Sequence, residues 1–269
     1  MLISFIPTCL ILSASLPFLV TTAQDVGDFT HKGSFYTMTY KVNEDKQVTY
    51  DIDVPQVRVT SNVIKLGPYP MRSAPVPRYR RRFLIDFDRS NITAVEWCKR
   101  LETFFKNTGI IGLDEAFSPA VGDQPCDLAA LLFPRGDKLI ASRFQDRRVV
   151  FRRKGFPVVP GKFVYDQPEE SNYKVTCTVR SEDDVLIEVE ADGAVVSSRF
   201  KLSLRSRPWV DREYITVRFG DEEYHLFWNK LILQWYEEWS NKDLQVLFFA
   251  TEKTIYTRFL KRRICLTKA

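Results

Sequence analysis

The sequence predicts an α+β protein of two tandem related domains, each an antiparallel curved sheet covered by one helix and completed by a closing hairpin. Three observations carry that expectation. Short runs of period-two apolar alternation recur along the chain, as strands require. The period switches twice to a helical one, around Trp97 and around Trp228. And blocks of the first half return in the same order in the second. "YTMTYKVNEDKQVTYDIDV" (36–54) aligns with "YKVTCTVRSEDDVLIEVEA" (173–191), and "FLIDF" (83–87) with "ITVRF" (215–219). Trp97, Leu101, Phe104 and Phe105 then meet Trp228, Ile232, Trp235 and Tyr236 at one offset. The expected boundaries are a leader at 1–23, a first domain at 24–154, a linker at 155–171 and a second domain, repeating the first, at 172–269.

Residues 1–23 hold no Asp, Glu, Lys or Arg, and an apolar run ends at Thr21-Thr22-Ala23. That pattern reads as a secretory signal peptide cut after Ala23. No later segment is apolar for long enough to span a bilayer as a helix. The expected location is therefore secreted, in an extracellular space or a secretory organelle. Strands follow through 36–54 and 83–87. Thr93-Ala-Val-Glu96 is a capping box that starts the first helix, with Val95, Cys98, Leu101 and Phe105 as its inner stripe and Gly109 as its left-handed cap. "KLIASRF" and "RVVFRR" close the first domain. The tract "GFPVVPGKFVYDQPEES" (155–171), rich in Pro and Gly, is the expected linker.

In the second half, "YKVTCTV" and "VLIEVEA" are strands, and Asp192-Gly193 turns the chain into "AVVSSRFKLSL". Trp228, Leu231, Ile232, Trp235, Tyr236 and Trp239 form one apolar stripe on the second helix. "LQVLFFA" and "TIYTRFL" end the chain as strands.

Of five cysteines, Cys9 lies in the leader. Cys98, Cys126, Cys177 and Cys265 remain, an even set that favours disulfides in an oxidising compartment. The expected bridges stay within each half, Cys98–Cys126 and Cys177–Cys265. Metal spacing is absent. With 39 Lys and Arg against 34 Asp and Glu, the net charge of +5 is too mild and too dispersed for a nucleic-acid binder.

Catalytic signatures are missing. The two histidines, His31 and His225, belong to no metal or nucleophile motif. Asp86 and Asp88 alternate on a strand face, where a solvated surface is the default over a paired-carboxylate site. Asp114-Glu115 is a loop pair of the same kind. No cofactor is expected. Trp209, after Pro208, is a candidate exposed aromatic contact. Asn91-Ile92-Thr93 is the one glycosylation sequon.

The strongest surface signal is basic. "PRYRRRFLIDFD" places Arg78, Arg80, Arg81 and Arg82 at the entry of a strand whose Phe83, Ile85 and Phe87 face inward. "RFQDRRVVFRRK" (143–154) adds Arg147, Arg148, Arg152, Arg153 and Lys154, and "RFLKRR" (258–263) repeats the pattern. Three readings compete: a docking surface for an acidic protein, a glycan or an anionic lipid surface; a convertase site of R-x-R-R form at 78–81; and solvated charge that protects strand edges. Arg80 and Arg82 are expected to face solvent and to join Arg147 or Arg152 in one patch.

The combination of a leader, tandem β-rich units, strands such as "YKVTCTV", the segment "REYITVRFGDEEYHLFW" and no catalytic motif resembles the secreted proteins of the piroplasms Babesia and Theileria that carry domains of the FAINT type, the spherical-body proteins among them. The resemblance spans about 36–107 and 173–260. It implies export toward a host cell and a binding role without catalysis. The expected function is thus a secreted, non-enzymatic interaction protein. The alternatives are a secreted carrier of a lipid or small molecule, and a secreted enzyme with an unrecognised carboxylate site.

Overall fold

Alternation forms strands along most of the chain, in a computed structural model that describes residues 26–55, 62–74, 81–115, 117, 126–133, 139–166, 172–207, 210–215, 222–235, 240 and 242–269. The expected α+β architecture is overturned: the protein is mostly β. Its first sheet is a closed barrel of β1 (Gly27–Lys32), β2 (Thr37–Val42), β3 (Gln47–Asp53), β4 (Val63–Ser73), β5 (Arg82–Ile85), β6 (Ala130–Leu132), β7 (Leu139–Phe144) and β8 (Arg147–Lys154), closed where β1 pairs with β8. A closed sheet buries its inward face on itself and needs no helix to cover it. Phe29, Tyr40, Tyr50 and Phe151 fill the interior, with Tyr40 and Tyr50 ring centroids 4.7 Å apart. α1 (Ala94–Thr108) closes an end of the barrel rather than covering a face. Its Trp97 lies 5.8 Å from both Tyr50 and Tyr69, and its Phe105 lies 5.0 Å from Phe144.

The second sheet has nine strands: β9 (Gly161–Asp166), β10 (Lys174–Ser181), β11 (Asp184–Ala191), β12 (Ala194–Lys201), β13 (Ser203–Arg207), β14 (Val210–Ile215), β15 (Val246–Phe249), β16 (Thr254–Phe259) and β17 (Arg262–Lys268). Its order is β12-β11-β10-β9-β17-β16-β15-β14-β13. The two end strands, β12 and β13, are separated in sequence only by Leu202, so the sheet curls back on itself. α2 (Glu222–Trp235) packs on β12 through Phe200, 5.3 Å from Phe227. β9 falls inside the tract expected as a linker. Its alternating Phe163 and Tyr165 are buried, and it pairs with both β10 and β17.

Local signals position these elements. The capping box holds, with Glu96 N donating to Thr93 Oγ1 at 3.1 Å and Thr93 N donating to Glu96 at 3.2 Å. Gly109 takes the left-handed cap at φ 71°. Asp192 and Gly193, at φ 51° and 76°, make the two-residue turn between β11 and β12. Both helical stripes hold in part, with Leu101, Phe105, Trp228 and Leu231 buried as expected. Val95 is 77% exposed, while Trp97, Leu101, Phe104 and Phe105 are buried. On α2, Ile232 is exposed and the buried set is Tyr224, Phe227, Trp228 and Leu231; Tyr236 and Trp239 lie outside the described residues.

The two sheets finish alike. Asp127, wholly buried, accepts from Arg143 Nε at 3.0 Å and from the Gln145 main chain at 2.7 Å. Asp243, also wholly buried, accepts from Arg258 Nε at 3.2 Å and from the Lys261 main chain at 3.3 Å. In each case the next residue, Leu128 or Leu244, has positive φ and donates its N–H to the carbonyl of that same arginine. Each aspartate thereby pins a closing hairpin, β7–β8 or β16–β17, by its charge-assisted bonds.

A third apolar cluster joins the units. Val26 meets Phe248, Ala250 and Tyr256, with Cys265 beside them. The outer face of β15–β17 therefore rests on the barrel, and Thr254 to Thr257 of β16 are buried on both faces. Gly27 allows the approach: at φ 127°, an added Cβ would stand 3.1 Å from the Ala250 carbonyl oxygen.

Candidate functional site

Pairing separates the basic residues that looked contiguous in the sequence. Arg82 opposes Leu132, Leu132 opposes Ala141, and Ala141 opposes Val150. Three strand spacings, about 14 Å, thus divide the β5 arginine from β8. Arg82 and Arg81 are half-buried, and the Arg81 guanidinium lies 6.0 Å from the Phe133 ring centroid. Arg82 is therefore not adjacent to Arg147 or Arg152: two strands lie between them. Phe83, Ile85 and Phe87 do pack on the barrel core, so the inward parity of that segment is as expected. Arg78, Arg80 and Trp209 lie outside the described residues.

Arg153 is the clearest reversal. Expected on a basic surface, it is 2% exposed. It shares the inward parity of Phe151 on β8, at the end of the barrel that meets the second sheet. Its guanidinium donates to the Val26 carbonyl at 2.6 Å and lies 4.4 Å from the Phe29 ring, 5.4 Å from Phe248 and 5.2 Å from Tyr256. The planar, weakly hydrated guanidinium suits such a cage. Arg263 stacks on the same Tyr256 at 3.7 Å. Burial raises the Tyr256 phenol far above its usual range. Glu44, on the turn after β2, adds a second inter-unit contact, accepting from Thr251 Oγ1 at 2.5 Å and Thr254 Oγ1 at 2.7 Å. Burial works against the Glu44 charge, but those hydroxyl bonds outweigh it and hold the carboxyl below its usual range.

On β8 one row stays exposed. Arg148, Val150, Arg152 and Lys154 share the outward parity of β8, with Arg147 at the adjoining hairpin, and all five are exposed. Alternate residues of a strand repeat at about 6.7 Å, so Arg148 and Arg152 stand roughly 13 Å apart. Thr30 of β1 opposes Arg152, and Lys32, two residues on along the same face, is exposed as well. Lys154 opposes Asp28, whose carboxyl is pushed up by burial while Lys41 and Lys154 pull it down. Around Val150 the row stands beside the exposed Lys32 of β1, across the seam where the barrel closes. Sequence reasoning did not place Lys32 beside β8, because only barrel closure brings the first strand next to the eighth.

Asp86 and Asp88 do not share a strand face. Strand β5 stops at Ile85, so Asp86 is buried at the start of a 3-10 turn (Phe87–Arg89), its main chain bonded to Pro70 and Ser90. Asp88 is exposed and pairs with Arg72 at 3.4 Å. His31 lies on β1 with Nδ1 3.0 Å from the Val150 carbonyl, while His225 is exposed on α2. Among the described residues no group of His, Cys, Asp or Glu is arranged to hold a metal ion.

One expected disulfide forms. Cys98 of α1 is bridged to Cys126 with Cα atoms 6.5 Å apart, tying the helix to the segment that enters β6. The other does not: Cys177 and Cys265 are free thiols. β9 lies between their strands, so two strand spacings, about 9.6 Å, exceed the Cα separation of under about 7 Å that a bridge tolerates. They also face opposite sides of the sheet, Cys177 toward Val175 and Ile187 in the second core and Cys265 toward Tyr256 outside it. Burial pushes the Cys177 thiol up to about 12 and the Cys265 thiol up to about 11.

No family model matches the chain, and no curated protein matches it. Among the described residues no helix is long and apolar enough to cross a membrane.

Proposed function

We propose that this chain is an exported, non-enzymatic interaction protein that holds a polyanionic partner along the outer face of β8, with Arg148, Arg152, Lys32 and Lys154 as its contacts. The observation that carries the reading is the sorting of the basic residues. Arg143 bonds the buried Asp127 and Arg153 fills the aromatic cage, whereas Arg148, Arg152 and Lys154 are exposed on the outer face of β8. Arginine forks spaced along a strand suit an acidic protein segment, a sulfated glycan or anionic head groups. The apolar leader at 1–23 and the Cys98–Cys126 bridge support export. The likeness to FAINT-type secreted proteins supports a host-directed role. The paired Asp–Leu devices at 127–128 and 243–244 support an internal duplication of the strand-and-hairpin core.

Retention on a heparin surface tests the reading. Wild type is retained at low salt and released as salt rises, because the attraction is screened over about 8 Å at physiological ionic strength. Arg148→Ser with Arg152→Ser releases at markedly lower salt. Equal release of wild type and variant would remove β8 as the contact.

A further inference from the structure

We propose that Asn91 is an N-linked glycosylation site in the exported protein, an inference that rests on the export reading above. Asn91-Ile92-Thr93 has the acceptor form, with Ile92 at the middle position. The fold presents it well. Asn91 is exposed in the bend between the 3-10 turn and α1, while Ile92 beside it is buried and fixes the bend on the barrel core. The bend leaves the barrel from β5, which is three strands from β8 in the barrel order, so a glycan there does not sit on the basic row.

Thr93 has two roles that follow one another in time. The transferase reads the Thr93 hydroxyl on the extended chain as it enters the secretory lumen. After folding, the same oxygen accepts from Glu96 N and caps α1. The cap leaves the Asn91 side chain unencumbered, so a glycan already in place does not obstruct the helix. The reaction draws on a lipid-linked oligosaccharide pyrophosphate as donor. A bond forms between Asn91 Nδ2 and the first sugar's anomeric carbon. The bond from that carbon to the pyrophosphate oxygen breaks, its electron pair leaves with the lipid pyrophosphate, and the amide gives up one proton.

The test expresses the full chain, with its own leader, in eukaryotic secretory cells and measures intact mass of the protein in the medium before and after peptide-N-glycosidase. The expected result is one N-glycan, removed by the enzyme to leave aspartate at position 91 in the mapped peptide. Asn91→Gln abolishes it, Thr93→Ser keeps it together with the helix cap, and Thr93→Ala loses both. A chain recovered from the medium at the bare polypeptide mass, or a glycan that survives Asn91→Gln, overturns the proposal alone. A chain that never reaches the medium overturns the export reading and this proposal with it.

Discussion

Removing the Arg153 side chain tests whether one buried cation holds the two sheets together. Arg153→Ala removes a charged hydrogen bond to the Val26 carbonyl and guanidinium contacts to Phe29, Phe248 and Tyr256. A hydrogen bond to a charged group is worth about 1.5–3 kcal/mol, and a desolvated cation–π contact about 2 kcal/mol. The vacated volume adds a cavity term, offset in part by relief of the cost of burying a charge. The net expectation is a loss of about 3–5 kcal/mol, among the larger effects that single substitutions produce. At about 2–4 °C per kcal/mol for a chain of this length, Tm falls by roughly 10 °C. Urea unfolding followed by circular dichroism and tryptophan fluorescence reads the change. Arg153→Met keeps the stem and separates packing from charge. An Arg153→Ala protein within about 1 kcal/mol of wild type would refute the cage as the tie between the units.

Reducing Cys98–Cys126, which closes a loop with a sequence separation of 28, lowers stability by about 3–4 kcal/mol on the chain-entropy model; non-reducing peptide mapping together with reductant-dependent melting checks it. Cys177 and Cys265 stay unreactive to iodoacetamide at pH 8 in the folded protein and alkylate in urea, because the buried thiols resist ionisation; alkylation of Cys177 in native buffer contradicts its place in the second core. Glu44 has a folded pKa below its unfolded one, so its contribution is present above the ordinary carboxylate range and is lost as pH falls through the folded value. Glu44→Gln therefore melts below wild type at neutral pH and converges with it in acid; a constant gap across that window removes the charge from the explanation. Asp243→Asn leaves the Arg258 and Lys261 donors imperfectly matched at a wholly buried site and destabilises by about 1–3 kcal/mol, whereas an unchanged melting curve shows that the turn holds β16–β17 without it.

Strands, both helices, the Thr93–Glu96 cap and the Asp192-Gly193 turn were legible because each rests on local chemistry. The barrel was not. Alternation shows which residues share a face, but it does not say whether a sheet is covered by a helix or closes on itself. That depends on β1 meeting β8, a pairing separated by most of the first unit. The same blindness explains Arg153. Its sequence neighbours are charged, and only the packing of Phe248 and Tyr256 against the barrel end makes its position interior. A signal for that contact was present in "LQVLFFA", which runs apolar without alternation, as a strand buried on both faces does. The hairpin locks were also written in the chain. "DLAALLF" and "DLQVLFF" precede "RFQDRR" and "RFLKRR", and each aspartate reaches the arginine of its own hairpin. Cys177 and Cys265 illustrate the opposite limit. Their even count favoured a bridge, yet an intervening strand and opposite faces forbid it.

The proposed function divides the basic residues into those that contact a partner and those that hold the fold, and one paired measurement tests that division. Calorimetric titration of a heparin oligosaccharide is run with the mature protein and with Arg148→Ser/Arg152→Ser, alongside the melting curve of each. The account predicts that the double variant loses most of its affinity at low salt while Tm moves by under about 2 °C, as exposed positions allow. Undiminished affinity in the double variant, or a collapse of its melting temperature, would contradict the central claim that the outer row of β8 is a binding face.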